Sequence, residues 1–207
     1  MIKFSRIQVV LFWVLSLAVA LASWRFLVLG VNTSMEFVAY HAVESRWAFY
    51  AHILLAPVAL ALAPFQLWRS LRTRRPVLHR WLGRTYGVMV FLAGAGGLIM
   101  AMGTRAGPIG AMGFGFLAVV WVGATGWGIL QARAGHIAAH RRWMIRSVAL
   151  SFSAVTLRLY LLIPAATGID PVLAYQVIAW ACWVPNLIVA EWLMRRDAGP
   201  GGQFSTS

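Results

Sequence analysis

The chain of 207 residues is 61% hydrophobic and only 11% charged, with a mean hydropathy of +0.75. Because a soluble domain carries about 25% charged residues, this composition excludes a soluble domain and predicts an integral membrane protein. The net charge of +13 would suit nucleic-acid binding in a soluble protein, but the basic residues fall mostly between apolar runs, so we expect no nucleic-acid partner.

Six apolar stretches are long enough to be transmembrane helices, since a helix needs about 20 mostly apolar residues to cross the hydrocarbon core. They lie at about 7–30, 47–69, 83–103, 113–132, 143–163 and 171–193. We therefore predict an all-α, six-helix membrane domain over residues 1–197, with helices two to five as a central four-helix bundle. Residues 198–207, with the sequence AGPGGQFSTS, are predicted to be a disordered tail.

The basic residues near the helix ends are unequally shared between the two sides of this predicted fold. One side holds Lys3, Arg6, Arg72, Arg74, Arg75, Arg80, Arg133, Arg141, Arg142, Arg195 and Arg196, and the other holds Arg46 and Arg105. Lys and Arg are enriched in cytoplasmic loops, so the bias predicts that both termini are cytoplasmic. An even number of helices agrees with that topology.

Helices three and five open with a repeated pattern. Each has His, Arg, Trp, two further residues, Arg and then a hydroxyl residue, with one extra Arg in the second copy: His79-Arg80-Trp81 with Arg84-Thr85, and His140-Arg141-Arg142-Trp143 with Arg146-Ser147. Both helices start at the predicted cytoplasmic side, which favours parallel repeats with His79 and His140 at the same depth. His136 lies one turn before His140 on the same helix face.

Three kinds of chemistry fit this pattern. Two imidazoles at one depth on neighbouring helices can be the axial ligands of a haem iron, for which His79 and His140 are the candidates and His136 the substitute. Three imidazoles can hold zinc or copper with an open position. The remaining interpretation is that these His and Arg residues anchor the helices by contacting lipid phosphates.

A second candidate site lies toward the other side of the membrane. His52 is five residues past the predicted start of helix two, and Arg158 is five residues short of the predicted outer end of helix five. Ionisable residues inside a span are costly and usually functional. Arg158 is therefore predicted to pair with a haem propionate, a quinone oxygen, or one of the loop acids Glu44 and Asp170. His41 is expected to lie outside, about three turns from His52.

The chain resembles a known family in three blocks of sequence. These are His52 through Pro64-Phe65-Gln66, the block HRWLGR at 79–84, and the block HIAAHRRWMIRS at 136–147. Together they resemble a bacterial membrane family of unknown function, the domain of unknown function numbered 2306, over roughly residues 45–165. The resemblance implies a multi-pass fold in the bacterial cytoplasmic (inner) membrane and brings no activity with it.

A more distant resemblance is to the six-helix dihaem cytochromes b that move electrons from ascorbate across membranes. Those proteins also open a core helix with a His-x-Trp-x-Gly stretch, which His79, Trp81 and Gly83 match. The resemblance implies haem b with His79 as an axial ligand and a His near the start of helix five opposite it. That family has four intramembrane His on four helices, whereas helix four here has none, so a second haem does not carry over.

These observations give two functional hypotheses. The first is a small b-type-cytochrome-like electron-transfer module that exchanges electrons with quinone or a partner protein. In this hypothesis His79, His140, His136 and His52 are cofactor-binding residues, and Arg84, Arg146 and Arg158 hold anionic groups. The alternative is a non-redox membrane protein that binds a lipid or small molecule or carries a solute. The chain contains no P-loop, GxSxG or HExxH motif, so no enzyme class is predicted.

Overall fold

The protein crosses the membrane with six helical segments. The computed structural model describes residues 5–198, and the segments long and apolar enough to span are Arg6–Leu29, Arg46–Leu67, Pro76–Met102, Gly107–Arg133, Ile137–Thr167 and Pro171–Arg196, which we call spans one to six. The described residues contain no strand, so the predicted all-α, six-span fold is confirmed. Spans one, three and five begin at the same end of the bundle, which we call the basic end. The tail predicted at 198–207 begins at the last described residue, and the rest of it lies outside the described part of the chain.

Several spans are built from more than one helix. The helices are Arg6–Ser23, Phe26–Leu29, Val31–Ser34, Glu36–Val38 (a 3₁₀ helix), His41–Glu44, Arg46–Leu67, Arg69–Arg74, Pro76–Met102, Gly107–Arg133, Ile137–Ser151, Ser153–Tyr160, Leu162–Thr167, Pro171–Ala181 and Val184–Ala198. The interruption in span six precedes Pro185, which has no N–H to donate to the preceding turn. Asn186 joins this point to span five, because its Nδ2 donates to Thr156 Oγ1 at 3.0 Å.

Spans three, four and five begin about six residues earlier than the apolar stretches predicted. The first turns of spans three and five carry His and Arg, and that of span four carries Gly and Pro, so the apolar stretches leave these turns out although the helices include them. Pro76 stands at the first turn of span three, where its missing N–H has no helical partner to lose. His79 and His140 are consequently each the fourth residue of their helix, Pro76–Met102 and Ile137–Ser151. The two histidines therefore have the same helical register, whereas the residues after His140 are shifted by one position because of the extra Arg.

The main core draws on spans two to six. Its largest fully buried members include Tyr86 and Val90 of span three, and span six contributes Ala174, Ile178, Cys182 and Trp183. Span one packs against the bundle through a separate, smaller cluster that contains Ala20, Leu60 and Val155. Spans two to five are therefore central as predicted, and span six joins their core directly.

Glycine allows spans two and three to approach each other closely. A methyl group on Gly96 would collide with the carbonyl oxygen of Ala48, and one on Gly97 would stand 2.9 Å from His52 Nδ1. Such small-residue contacts are typical of membrane helix pairs, where lipid supplies no hydrophobic drive for association. The contact places His52 of span two against the late turns of span three.

Candidate functional site

A cavity of about 450 Å³ lies inside the bundle in the half away from the basic end. Its walls are largely apolar, and small-molecule sites are typically of this size and character, with a few placed polar groups. The polar and ionisable residues that line it are Ser23, Arg25, Ser34, Glu36, His41, His52, Thr104, Ser151, Ser153, Arg158 and Tyr175. All six spans and the segment after span one contribute, so the cavity is a central feature of the fold.

Arg158 places a guanidinium group in this cavity. Its Nη2 donates to Ser23 Oγ at 2.7 Å, and its Nη1 donates to the carbonyl oxygen of Ala154 at 2.8 Å. No ion pair joins it to a carboxylate among the described residues. Because a charge inside a span is costly, an arginine held only by neutral groups has donor capacity and charge left for a ligand.

The loop acids predicted as alternative partners of Arg158 are engaged elsewhere. Glu44 forms an exposed ion pair with Arg105, at 2.6 Å between Oε1 and Nη2. Asp170 caps the first turn of span six, where its Oδ1 accepts from the backbone N–H of Leu173 at 2.8 Å. The ion-pair interpretation of Arg158 is therefore wrong for both of these acids.

His52 lines the same cavity, and one of its ring nitrogens is already hydrogen-bonded within the protein. Its Nδ1 lies 2.8 Å from the carbonyl oxygen of Ala93, and since a carbonyl only accepts, Nδ1 carries the proton. This tautomer leaves Nε2 as an acceptor or as a metal-binding atom, the arrangement that ligating histidines usually show. The structure thus brings the two predicted outer residues, His52 and Arg158, to one cavity.

His41 also lines the cavity, contrary to the expectation that it lies outside. The helix does not continue from span two back to His41, because Ser45 has φ −140° and ψ 49° and turns the chain. His41 is buried, its Nδ1 lies 3.1 Å from Ser45 Oγ, and burial lowers the pKa of its imidazole. His41 packs near Gly103, whereas His52 packs near Gly97. Six residues of helix separate those glycines by about 9 Å, so the two imidazoles pack against span three at different heights.

A buried hydroxyl network forms the floor of the cavity. Ser151 Oγ accepts from Trp121 Nε1 at 3.0 Å and lies 2.8 Å from the Tyr86 hydroxyl. Tyr86 also lies 2.7 Å from Ser147 Oγ, which in turn lies 2.6 Å from Thr125 Oγ1. The network joins spans three, four and five inside the bundle, so it fixes the position of the cavity floor.

The predicted site at the basic end has a different character. His140 Nδ1 donates to the carbonyl oxygen of Gly128 at 2.7 Å, and His79 Nδ1 is buried without a hydrogen-bond partner among the described residues. The two imidazoles are close enough for their charges to interact. His136 is exposed and lies 3.1 Å from Gln131 Oε1. The described residues form no group of three or more His, Cys, Asp or Glu that could hold a metal, so the zinc or copper alternative is wrong for these three.

Two of the three arginines predicted to hold anionic groups already have partners at the basic end. Arg146 forms a two-pronged ion pair with Glu191 of span six through Nε and Nη2, a pairing that the sequence did not single out. Arg84 lies over the ring of Trp81, with its Cζ 5.1 Å from the ring centre. Of these three arginines, only Arg158 combines a cavity with the lack of a carboxylate partner within residues 5–198.

Sequence reasoning missed several cavity residues. Arg25 follows the first apolar helix and is a second cation at the cavity. Its position at the end of a span is a signal that a search for charges at span ends could have found. Tyr175, Ser34, Ser151 and Trp121 carry no such signal, because each is an ordinary residue in an apolar or loop context. Their placement depends on the tertiary packing of spans that are distant in sequence.

Comparison with known proteins identifies one family. The model of a family described as "Predicted membrane protein (DUF2306)" matches residues 49–194, more than two thirds of the chain. No curated protein and no solved structure matches the chain. The likeness to the dihaem cytochromes b is therefore unsupported.

Proposed function

The chain belongs to the DUF2306 family of predicted membrane proteins, a description that names no activity, and from its cavity we propose that it binds a lipid-soluble small molecule. The molecule places an acidic or carbonyl headgroup against Arg158 and an apolar body among the cavity walls. A lipid acid and a quinone both meet this description. The single observation that carries the proposal is the Arg158 guanidinium, which faces a largely apolar cavity without a carboxylate partner in the described part of the chain.

The surrounding residues support an oriented ligand. Tyr175 lines the cavity beside Arg158, and its ring packs against Phe37 with 4.3 Å between ring centres. His52 Nε2 supplies an acceptor, since Nδ1 donates to Ala93. A few polar groups that fix the headgroup in an otherwise apolar pocket are what small-molecule sites use for specificity.

Titration of the purified full chain with dodecanoate and with a short-tailed quinone, followed by native mass spectrometry, tests the proposal. Wild type should bind at least one of the two saturably, and Arg158→Leu should weaken that binding about tenfold or more, as expected for a charge-assisted hydrogen bond. Arg105→Leu is the matched control, because Arg105 lies at the same end but outside the cavity lining. Equal binding by wild type and Arg158→Leu would refute the proposal.

Electron transfer through haem b at the basic end is the second candidate. The observation that favours it is the identical helical register of His79 and His140, together with the Nδ1 hydrogen bond that leaves His140 Nε2 free to bind iron. Haem would supply reversible one-electron chemistry. A quinone in the cavity, or a redox partner protein, would then be the exchange partner. A visible spectrum separates this candidate from simple lipid binding.

We also infer that the protein resides in the bacterial cytoplasmic membrane with its basic end in the cytoplasm. The unequal share of Lys and Arg between the two ends supports this orientation. The ligand cavity then lies in the outer half of the membrane.

A further inference from the structure

The cavity contains a second arginine close to Arg158. Arg25 lies just after the helix Arg6–Ser23, only two residues beyond the serine that accepts from Arg158. Its Nη2 donates to the carbonyl oxygen of Ser34 at 2.6 Å, and its Nη1 donates to that of Ala22 at 3.4 Å. Both partners are neutral, and the charges of Arg25 and Arg158 are close enough to interact. Two cations therefore share one end of the cavity.

Ser34 adds a hydroxyl donor at the same place. Its side chain is 8% exposed and lines the cavity, and its Oγ has no hydrogen-bond partner among the described residues. Its backbone carbonyl already accepts from Arg25, so the hydroxyl and that guanidinium belong to one local unit. Buried polar atoms in folded proteins are almost always hydrogen-bonded, so a buried hydroxyl of this kind points to a partner that binds in the cavity.

The only carboxylate among the cavity-lining residues is Glu36, which is exposed at the rim. Among the described residues, no ion pair joins Arg25 or Arg158 to it. The end of the cavity that holds Arg25, Arg158 and Ser34 is therefore rich in donors and positive charge.

From this arrangement we propose that the cavity recognises a phosphate monoester through Arg25, Arg158 and Ser34. A phosphate monoester carries about −1.5 to −2 charges and three strong acceptor oxygens at pH 7, which matches two guanidinium groups and one hydroxyl. A carboxylate has one charge and two oxygens, and a quinone carbonyl has no charge, so each leaves part of this donor set unused. The proposal rests on the cavity being a ligand site and specifies the headgroup class.

The phosphate could be carried by a lipid tail or be free in solution. The apolar walls behind the arginines suit a hydrocarbon chain, so dodecyl phosphate is the main probe and inorganic phosphate tests the soluble source. Dodecanoate and dodecanol have the same tail with a singly charged and a neutral headgroup. The four probes separate the contribution of the headgroup from that of the chain.

Native mass spectrometry of the full chain with each probe is the test. Wild type should bind dodecyl phosphate at least about tenfold more tightly than dodecanoate, and dodecanol least of all. Ser34→Ala and Arg25→Gln should each reduce that preference to about threefold or less, because each removes donors that only the phosphate uses fully. Arg105→Gln, outside the cavity lining, should retain the wild-type preference.

The outcomes distinguish this proposal from the more general one. If dodecanoate binds as tightly as dodecyl phosphate, or if the phosphate preference survives both Ser34→Ala and Arg25→Gln, the headgroup assignment is wrong while the ligand cavity stands. If neither these probes nor the short-tailed quinone binds saturably, the proposed function itself fails. Inorganic phosphate that binds as tightly as dodecyl phosphate would uphold phosphate recognition and assign it to a soluble source.

Discussion

Tyr86 of span three and Ser147 of span five are hydrogen-bonded to each other, with 2.7 Å between their side-chain oxygens. Each lies seven residues, or two helical turns, after the histidine that opens its helix, His79 or His140. Two residues at the same distance from the two histidines thus join spans three and five at the centre of the bundle. Both residues are fully buried, so the contact is shielded from lipid and water.

Removal of the Tyr86 hydroxyl should destabilise the bundle. Tyr86→Phe removes contacts with both Ser147 and Ser151, and we expect a loss of about 1 kcal/mol in the free energy of unfolding, since side-chain hydrogen bonds in membranes contribute modestly. Unfolding in mixed micelles by titration with dodecyl sulfate measures the change. Tyr50→Phe is the control, because Tyr50 is only half-buried. Equal losses for the two variants would show that the network adds no specific stability.

Alanine in place of Gly96 or Gly97 should separate spans two and three. Gly96→Ala should lower the free energy of unfolding by about 1–3 kcal/mol, which is typical of an overpacked core. The new methyl group collides with the backbone of Ala48, and no side-chain rotation can relieve that collision. Gly97→Ala should instead displace the His52 ring and weaken ligand binding. Gly123→Ala is the matched control, since nothing lies within 4 Å of its added methyl group. The same micelle titration, combined with ligand binding, checks both effects.

Arg158→Leu should leave the fold as stable as wild type or make it more stable. The guanidinium is held by neutral groups, so its removal leaves no carboxylate unpaired, and Ser23 Oγ still donates to the carbonyl oxygen of Val19 at 2.6 Å. If Arg158 stabilised the fold through a buried ion pair, its removal would lower the free energy of unfolding by about 3–5 kcal/mol. A loss of that size in the micelle titration would identify Arg158 as a structural residue and contradict its assignment to ligand binding.

The sequence predicted the spans and the equivalent positions of His79 and His140 because both depend on local patterns. The six apolar runs reach the length that a bilayer requires, and the matching His-Arg-Trp blocks place His79 and His140 at the same point of their helices. The sequence could also single out Arg158 as a candidate functional residue, since an arginine late in an apolar run is costly wherever it points.

The composition of the cavity could not be predicted in the same way. His41 reaches the cavity only because the chain turns at Ser45, a backbone conformation that hydropathy does not encode. Arg146 forms an ion pair with Glu191, which lies 45 residues away in the sequence. The sequence around Arg146 therefore does not show that its charge is neutralised. Sequence patterns thus located the membrane elements, while the contacts between distant spans determined which arginine remained available.

Reporter fusions should place the basic end in the cytoplasm. Fusions after Ser70, Ala134 and Asp197 should report cytoplasm, and fusions near Asn32, Gly107 and Gly168 should report the exterior, because Lys and Arg are concentrated at the former end. Alkaline phosphatase and green fluorescent protein fusions give opposite signals on the two sides. An exterior signal from the segment around Arg74, which carries the largest basic cluster, would reverse the orientation.

Haem at the basic end should give the purified protein a Soret band, with visible bands that sharpen on reduction. In a low-spin site both axial positions are filled by protein, so His79→Ala should abolish or broaden these bands. His140→Ala should have the same effect. His140 is a better second ligand than the exposed His136, because its Nδ1 is hydrogen-bonded and holds the ring in place. Substitution of His136 should therefore leave the spectrum unchanged. Visible absorption spectra before and after reduction with dithionite provide the measurement.

His41→Ala is the control for the haem prediction, because His41 lies at the opposite end of the bundle from His79 and His140. Its spectrum should equal that of wild type if the iron lies at the basic end. If the haem bands are lost in His52→Ala but retained in His79→Ala, the haem site is the cavity, where Arg158 could hold a propionate. Colourless protein from haem-sufficient cells, with all five histidine variants folded, would exclude haem. The basic-end histidines would then serve only to anchor the helices, as imidazole and guanidinium groups at a membrane surface do through contacts with lipid phosphates.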